Sequence, residues 1–441
     1  MTPEQLQGEC VEVLQRLVRF NTVNPPGNER PAIEYLERYV ADAGFETEIL
    51  GTTDDRPNLV ANLHGEQEGP TLCLLGHVDT VLAEPAEWQH DPWSGDVVDG
   101  FLWGRGALDM KSQVAAEAVA GVALARSGWR PARGTLKLVF VADEETGGDV
   151  GARWLTERHP EKVRCDMLVN EGGGGVFEYE GRRCYGVCCA EKGVFRFKVI
   201  TDGVAGHASM PGMGENALLK MGPVLERFAA RQPAYRPTEE PLAFLRGIGA
   251  DADDLEGSIA RLRAVDPRLA IMFEPMLGVT FTPTRIQASE KINVIPSSAE
   301  LKVDCRVPPG LGEREVREGL AEVLGDVGAE DARPPWRIEF TEQVVGNRSP
   351  VASPLMDAIS GWIGERDAGA EVVPVVLPGF TDSRHFRVAF PECVAYGFFP
   401  QRHQSLLETA PLIHGADERI DVRDLAFATE LYADLALRIL G

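Results

Sequence analysis

The sequence of 441 residues lacks the features of several large protein classes. No stretch approaches the roughly 18 uncharged apolar residues that a membrane-spanning helix requires. The N-terminus has no basic region followed by an apolar run, so we expect no secretory signal either. Basic residues are fewer than acidic ones. The 44 Lys and Arg and the 68 Asp and Glu give a formal charge of −24. Since such an acidic surface repels phosphate backbones and anionic lipid headgroups, we expect neither nucleic acid nor a membrane as a partner.

Cysteine is sparse and dispersed. The eight cysteines show neither a disulfide framework nor the paired Cys-x-x-Cys spacing of a thiolate zinc site. This usage predicts a reducing, cytoplasmic compartment. The adjacent Cys188 and Cys189 are expected to lie in the core of a strand rather than to bind a metal.

Motifs of two other enzyme classes are missing as well. Gly104 and Gly106 could begin the phosphate loop of a dinucleotide-binding oxidoreductase, but Asp109 occupies the place of the third glycine. The glycine run at 172–175 is not followed by the Lys-Ser/Thr of a nucleotide-binding P-loop. No Gly-x-Ser-x-Gly elbow of a serine hydrolase is present. These patterns disfavour both an oxidoreductase and a serine hydrolase.

The length and the hydrophobic pattern together predict two domains. Short apolar runs alternate with helical patterns as far as residue 193, and the same texture returns over residues 351–441. The apolar runs lie at 58–63, 71–75, 136–142, 167–169 and 371–377, and the helical patterns at 4–20, 30–43, 110–126, 150–158 and 424–440. This alternation is typical of an α/β domain with a mostly parallel sheet. We assign residues 1–193 and 347–441 to that domain.

Residues 194–346 have a different pattern and are predicted to be inserted into the α/β domain. Alternating strands are predicted at 194–201, 279–286, 299–307 and 336–340, with helices at 216–231 and 313–324. The order β-α-β-β-α-β predicts an α+β domain with a four-stranded antiparallel sheet and two helices. Residues 235–275 are additional to this pattern, and they could shape a binding pocket or alter dimerisation.

Acidic and histidine residues follow directly after the predicted parallel strands. His77 and Asp79 follow one strand, residues 143–145 (Asp-Glu-Glu) follow another, and Glu171 ends a third, while Asp109 precedes a helix. Open parallel sheets bind their ligands beyond the carboxyl ends of the strands, so these groups should converge on one edge. Carboxylates gathered there repel one another unless a cation joins them. Nitrogen and oxygen ligands without thiolates suit Zn²⁺, with Co²⁺ or Mn²⁺ as alternatives.

Each of these motifs also has an ordinary interpretation. His-x-Asp after a strand is commonly a hydrogen-bonded pair, and Asp-Glu-Glu is commonly solvated surface. Their combination at the ends of successive strands is what favours a metal site.

Several longer stretches identify a family. The stretches GHVDTV (76–81), EWQHDPWSGDVVDGFLWGRGALDMKS (87–112) and DEETGG (143–148) resemble signature blocks of the co-catalytic zinc aminoacylase/carboxypeptidase family. That family includes aminoacylases, acetylornithine deacetylase, succinyl-diaminopimelate desuccinylase and glutamate carboxypeptidase. INVIPSSAELKVDCRVPPG (292–310), GFTDSRHFR (379–387), AYGFFP (395–400) and IHGADERI (413–420) resemble later blocks. The resemblance runs from about residue 8 to the C-terminus.

The resemblance implies a catalytic domain of the zinc-exopeptidase type and an inserted domain that acts as a lid and dimerisation domain. It also implies two Zn²⁺ ions, with His77 and Glu171 on one, Glu145 and His414 on the other, and Asp109 between them. Asp79 would orient His77. Glu144 would act as the general base and then as the acid, and the peptide bond between Asp109 and Met110 would be cis.

The resemblance further implies a set of substrate-binding residues. His207 resembles the family histidine that contacts the oxyanion, often from the partner subunit of a dimer. Asn293 and Arg306 resemble the pair that binds the free carboxylate of the substrate, a role for which the planar fork of arginine is suited. Gly379 and Thr381 lie in a loop where the family more often has two successive glycines. Phe380 takes the second place here, which departs from the family pattern.

The resulting prediction is a two-zinc hydrolase that cleaves an amide bond adjacent to a free carboxylate, in N-acyl amino acids or short peptides. A homodimer formed through the inserted domain is expected. The nearest alternative is a deacylase of the acetylornithine or succinyl-diaminopimelate type. A non-catalytic relative that acts as a binding protein is a further alternative, although the ligand set and Glu144 are all present. His64, His90, His159 and His403 have no motif context, and His385 lies near the expected cleft.

Overall fold

The computed structural model of the chain describes residues 2–325 and 336–441. The α-helices in this part of the chain are α1 (Pro3–Arg19), α2 (Arg30–Ala41), α3 (Lys111–Arg126), α4 (Ala152–Arg158), α5 (Pro160–Val163), α6 (Ala217–Ala230), α7 (Glu239–Gly247), α8 (Leu255–Val265), α9 (Pro267–Phe273), α10 (Glu313–Leu324), α11 (Pro354–Arg366), α12 (Ser383–Ala389), α13 (Leu406–Thr409) and α14 (Val422–Leu440). None of these helices combines the length and the apolar character needed to cross a membrane.

The strands of the described residues belong to one large sheet, one smaller sheet and two short ribbons. In chain order they are β1 (Glu46–Gly51), β2 (Pro57–His64), β3 (Thr71–His77), β4 (Val97–Val98), β5 (Phe101–Trp103), β6 (Thr135–Val141), β7 (Met167–Asn170), β8 (Gly175–Tyr179), β9 (Arg182–Glu191), β10 (Gly193–Val194), β11 (Phe197–Asp202), β12 (Gly206–His207), β13 (Thr280–Gln287), β14 (Val294–Ile295), β15 (Ser298–Val307), β16 (Trp336–Phe340), β17 (Asn347–Arg348), β18 (Glu371–Leu377), β19 (Val394–Gly397), β20 (Gln401–Ser405) and β21 (Arg419–Asp421).

The large sheet has a parallel centre with antiparallel pairs on both sides of it, and its last pair, β8 and β20, is parallel again. Its strands follow the order β1-β2-β6-β3-β7-β19-β9-β8-β20, and β17 and β18 also pair with β9. The neighbouring strands β6, β3, β7 and β19 are parallel. Helices cover this centre on both faces, which is why β3 and β6 read as continuous apolar runs. The predicted α/β domain with a mixed, mostly parallel sheet is confirmed.

Helix α3 is the most buried helix of the large domain. Fourteen of its sixteen residues are buried, and most of these are alanine, valine or glycine. Small side chains let the helix approach the sheet closely, while α1 and α14 cover its other side. A helix that is apolar all round belongs in a core, and α3 packs with α1, α14 and the sheet in the largest apolar cluster.

The smaller sheet is antiparallel. The strands β11, β13, β15 and β16 form it, with the two-residue β10 extending its edge beside β15. Helices α6 and α10 contribute Met221, Val224 and Leu320 to the apolar cluster beneath the sheet. The predicted α+β unit with two helices is therefore present, and the exact domain boundaries at 194 and 346 stay a prediction.

Helices α7, α8 and α9 pack on the large sheet, although they connect two elements of the small one. Phe244, Leu262 and Leu269 join Phe177 and Val373, which belong to β8 and β18, in one apolar cluster. The additional segment of the sequence is thus a layer over one end of the large sheet. Lys192 fixes the C-terminal end of this additional segment, because its buried ammonium group donates to the carbonyl oxygens of Pro275 and Gly278 at 2.8 and 2.7 Å.

Candidate metal centre and active site

Successive parallel strands deliver the predicted ligands to one edge of the large sheet. His77 is the last residue of β3, Glu144 and Glu145 follow β6, and Glu171 follows β7. Because β6, β3 and β7 are parallel neighbours, their carboxyl ends lie side by side. Local backbone geometry turns the acids toward the edge, since Asp143 adopts a left-handed conformation with φ of 76°.

His77 is the centre of one group of potential ligands. Its ring is buried, and Nε2 lies 3.1 Å from Oδ1 of Asp109, 3.7 Å from Oε1 of Glu171 and 4.0 Å from Oε2 of Glu144. The other ring nitrogen, Nδ1, faces the main-chain oxygen of Asp79 at 3.1 Å and its Oδ1 atom at 3.4 Å. A proton on Nδ1 satisfies these contacts and leaves Nε2 free to bind a metal.

His414 is the centre of the second group. Its Nε2 atom lies 3.0 Å from Oδ2 of Asp109 and 3.1 Å from Oε2 of Glu145. The two oxygens of Asp109 therefore face different histidines. The peptide bond between Asp109 and Met110 is cis, as expected.

The protonation equilibria of these groups reflect carboxylates crowded around two histidines. Burial lowers the pKa of His77, but hydrogen bonds to Asp109, Asp79 and Glu171 outweigh it and hold the pKa well above its usual range. Hydrogen bonds to Asp109 and Glu145 raise the pKa of His414 to about 10. Burial and the charge of Asp109 raise the pKa of Glu171 to about 7. In both groups the histidine nitrogens would have to be protonated to balance the carboxylates, which is the charge that a metal ion supplies.

The donor set suits divalent cations. Ligand atoms of His77, Asp109 and Glu145 lie within 4.8 Å of one another, and so do those of His77, Glu144 and Glu171. Imidazole nitrogens and carboxylate oxygens without thiolates are the ligands of Zn²⁺, Co²⁺ and Mn²⁺. The residues present thus fit divalent cations of this kind, and Asp109 faces both histidines.

Asp79 organises the loop that carries two of the acids. Its Oδ1 atom accepts the amide N–H of Glu144 and its Oδ2 atom that of Glu145, both at 3.2 Å. The side-chain amide of Asn24 donates to Oδ2 of Asp79 at 2.9 Å and to Oδ1 of Asp143 at 3.1 Å. Asn24, which precedes two prolines, is a residue of the site that no sequence motif predicted.

Glu144 lies beside the His77 group, with its Oε2 atom 4.0 Å from Nε2 of His77. Burial, followed by the charge of Glu171, raises the pKa of Glu144 well above its usual range. Asp382 adds to this negative field, and burial likewise raises its pKa. A carboxylate in such surroundings binds a proton readily, as a general base must.

The predicted substrate-binding residues lie in two places. Arg306 reaches the loop after β18, where its Nη1 atom donates to the carbonyl oxygen of Pro378 at 3.3 Å, next to Gly379. The hydroxyl of Thr381 is buried and donates to Oε1 of Glu191 at 2.6 Å, so it supports the loop from below. Arg306 and Gly379 are therefore brought together, while the side chain of Thr381 is engaged elsewhere.

His207 ends β12 and Asn293 directly precedes β14, and these two strands form a short antiparallel ribbon. The amide of Ala208 donates to the carbonyl oxygen of Asn293 at 3.1 Å, which joins the two segments. His207 is exposed, and its Nδ1 atom accepts from the hydroxyl of Ser209 at 2.8 Å. In the part of the chain that the structure describes, no hydrogen bond or ion pair links His207 to the ligands.

The buried pair of Arg105 and Glu418 is absent from the sequence-based set of site residues. Glu418 is fully buried beneath the loop that carries Asp109, and it pairs with Arg105 at 2.7 Å. Its position inside IHGADERI was the one available signal. Cys188 and Cys189 are buried in strand β9, as predicted.

Comparisons with known proteins agree with this geometry. The model of peptidase family M20/M25/M40 matches residues 73–438. Succinyl-diaminopimelate desuccinylase of Ehrlichia ruminantium is 31% identical over 224 residues, which cover 49% of this chain and 55% of the relative. The chain thus spans about half the length of the desuccinylases that it matches. Probable carboxypeptidase S-like 2 of Dictyostelium discoideum is 26% identical over 398 residues, 86% of this chain and 73% of the relative.

Solved structures share the whole fold. The M20 family metallo-carboxypeptidase Sso-CP2 from Sulfolobus solfataricus superimposes with a TM-score of 0.69 at 18% identity, covering 98% of this chain and 99% of that one. Human carnosine dipeptidase 1 gives a TM-score of 0.67 at 17% identity, covering 99% of this chain and 97% of that one. With a family model that matches most of its length, the chain belongs to peptidase family M20/M25/M40.

Proposed function

We propose that the chain is a two-metal hydrolase that cleaves an amide bond adjacent to a free carboxylate, in N-acyl amino acids or short peptides. The observation that carries the proposal is the position of Asp109, whose two carboxylate oxygens face the Nε2 atoms of His77 and His414 at 3.1 and 3.0 Å. One carboxylate shared in this way suits a pair of ions.

His77 and Glu171 would hold one ion, Glu145 and His414 the other, and Asp109 both. Bound ions of this kind supply an acidified water and polarise a carbonyl group. Zn²⁺ is the proposed metal, with Co²⁺ or Mn²⁺ as alternatives that the same donors accept.

Glu144 would move the proton. Its Oε2 atom lies beside the His77 group, 4.0 Å from Nε2, and its main chain is fixed by the hydrogen bond from its amide to Asp79. We propose that this oxygen accepts a proton from the attacking water and then delivers it to the leaving nitrogen. A raised pKa suits both steps, since the carboxyl group can hold the proton between them.

Arg306 would bind the free carboxylate of the substrate, together with Asn293 and the backbone at Gly379. The guanidinium group pairs with Asp304 through Nε at 2.7 Å and Nη2 at 3.3 Å, and it donates from Nη1 to Pro378. It is partly exposed, so the second N–H groups of Nη1 and Nη2 can meet a ligand. A planar guanidinium binds a carboxylate with two parallel hydrogen bonds. His207 would contact the oxyanion.

His207 lies on the small domain beside an exposed apolar surface, which supports a homodimer. Ile292 is fully exposed, and Leu219 and Met213 are 74% and 67% exposed. A groove of about 370 Å³ runs between Leu218, Leu219 and Ile292. Exposed apolar patches of this kind commonly mark protein interfaces. In the dimer, His207 of one subunit would serve the metal centre of its partner.

Within the family, the carboxypeptidase-like assignment is favoured over the acetylornithine or succinyl-diaminopimelate type. The carboxypeptidase S-like relative is similar over 86% of this chain, whereas the desuccinylases are similar over 49%. The desuccinylases have the higher identity, so a succinyl substrate is the second candidate. A non-catalytic binding protein is disfavoured because the ligands and Glu144 are all present.

A substrate panel on the Zn²⁺-loaded protein tests the proposal. It includes dipeptides and acetyl, succinyl and long-chain acyl amino acids, each beside an analogue whose carboxylate is amidated. We expect the carboxylates to be cleaved about 10- to 100-fold more efficiently than the amides, the value of a charged hydrogen-bond pair. Preference for succinyl compounds would favour the second candidate, and no turnover of any compound would refute the proposed activity.

A further inference from the structure

Glu418 fixes the backbone of the loop that carries Asp109. Its Oε1 atom accepts the amide N–H groups of Leu108 and Asp109 at 2.6 and 3.0 Å, and its Oε2 atom accepts that of Gly106 at 3.1 Å. A buried carboxylate with three main-chain donors holds a loop in one conformation, because each lost bond would leave a buried charge unsatisfied.

Arg105 joins this carboxylate to the loop that carries His414. Its Nη1 atom donates to Oε2 of Glu418 at 2.7 Å. Its Nη2 atom donates to the carbonyl oxygens of Gly415 and His414 at 2.9 and 3.4 Å. The guanidinium is buried, and its carbon lies 5.2 Å from the ring centre of Trp88. The ion pair of Arg105 and Glu418 therefore binds the main chain on both sides of the contact between Asp109 and His414.

His414 needs such an anchor more than His77 does. It has a left-handed backbone, with φ of 60°, and its side chain is 52% exposed. A non-glycine residue in this conformation persists only where its surroundings hold it there. His77, by contrast, ends a central strand, and its side chain is 1% exposed.

We propose that Arg105 and Glu418 are positioning residues that set His414 against Asp109 and so control the affinity of one of the two metal positions. This inference rests on the proposed two-metal function. It assigns Arg105 and Glu418 to the metal position that Glu145 and His414 would hold. The position that His77 and Glu171 would hold is fixed instead by the packing of strand β3.

The test is a titration of the metal-free protein with Co²⁺, monitored by calorimetry and by the visible spectrum of the bound ion. Arg105→Lys keeps the charge but cannot bond both Glu418 and the carbonyl of Gly415. We expect it to weaken one of the two binding events about 10- to 100-fold and the other by less than about threefold. In a protein that already carries His414→Ala, Arg105→Lys should leave the remaining binding event unchanged.

Arg183→Lys is the matched control. Arg183 likewise pairs with an acid, Asp367, and donates to a main-chain oxygen, that of Arg402, but none of these residues contacts a predicted ligand. It should leave both binding events unchanged. Arg105→Gln takes the place of Arg105→Lys under the same criteria if the latter does not fold.

The outcomes separate the two proposals. A native protein that binds fewer than two Co²⁺ ions would contradict the proposed function itself. A native protein that binds two ions, with variants that bind both unchanged or weaken both equally, would overturn the positioning role alone. An effect of Arg105→Lys that persists in the His414→Ala background would also overturn it.

Discussion

The Oδ2 atom of Asp109 lies 3.0 Å from Nε2 of His414, and its other oxygen is committed to His77. A metal ion on either histidine would therefore also contact Asp109. Asp109→Asn should therefore reduce the metal content from two equivalents to less than one, because the amide lacks the negative charge that both ions share. Metal analysis after gel filtration measures this. Asp251→Asn, on an exposed loop, serves as the control, and a variant of Asp109 that retained two equivalents would refute the shared role.

Asp79 should affect metal affinity although it is not itself a predicted metal ligand. Its two oxygens accept the amides of Glu144 and Glu145, and an asparagine would turn an N–H group toward one of them. We expect Asp79→Asn to lower metal affinity about 10- to 100-fold, the usual effect of losing a group that orients a ligand. Calorimetric titration with the metal ion measures this change in affinity. Equal affinities for the variant and the native protein would show that the loop holds its shape without this carboxylate.

The metal-free protein should lose stability as the pH rises. The pKa of Glu171 is raised from 4.5 to about 7 in the folded chain, so between these values the folded state binds more protons than the unfolded state. Its contribution to the free energy of unfolding is complete below the lower value and is lost as the pH approaches the upper one. The loss amounts to about 3 kcal/mol.

Urea unfolding of chelator-treated protein at about pH 5 and about pH 8 measures this dependence. Glu171→Gln should reduce the difference between the two pH values, because the amide does not titrate. A metal-free native protein that was equally stable at both values, or more stable at the higher one, would contradict the assignment.

Arg306 should act on substrate binding rather than on turnover. Removing it leaves the substrate carboxylate without its cation, so Arg306→Ala should raise KM about 10- to 100-fold and change kcat by less than about threefold. Arg306 and Arg196 both pair with Asp304, at 2.7 and 3.0 Å, so Arg196→Ala is the matched control. An unchanged KM for Arg306→Ala, or an equal effect of Arg196→Ala, would refute the role in carboxylate binding.

The parts of the site that could be predicted from sequence are those that regular structure positions. His77 and Glu171 sit at the ends of apolar runs, and parallel strands bring such ends together whatever the rest of the chain does. The same reasoning predicted the sheet and the helices beside it, because burial on both faces leaves a clear apolar pattern.

The remaining features depend on tertiary contacts that leave no local pattern. His414 occupies a left-handed turn outside any strand, so only the family resemblance identified it. Arg105 and Glu418 are 313 residues apart, and a charged residue that is neutralised in the interior looks the same in sequence as one on the surface. The apolar faces of α7 to α9 leave a pattern in the sequence. That pattern does not specify which of the two sheets the helices pack against.

Turnover and metal content of Glu144→Gln test the central claim most directly. The glutamine keeps the size of the side chain and cannot take up the proton, so we expect two bound Zn²⁺ ions and a kcat about 100- to 10,000-fold below that of the native protein on its best N-acyl amino acid or peptide. A variant that held both ions and kept full activity would contradict the proposed role of Glu144 and, with it, the proposed mechanism.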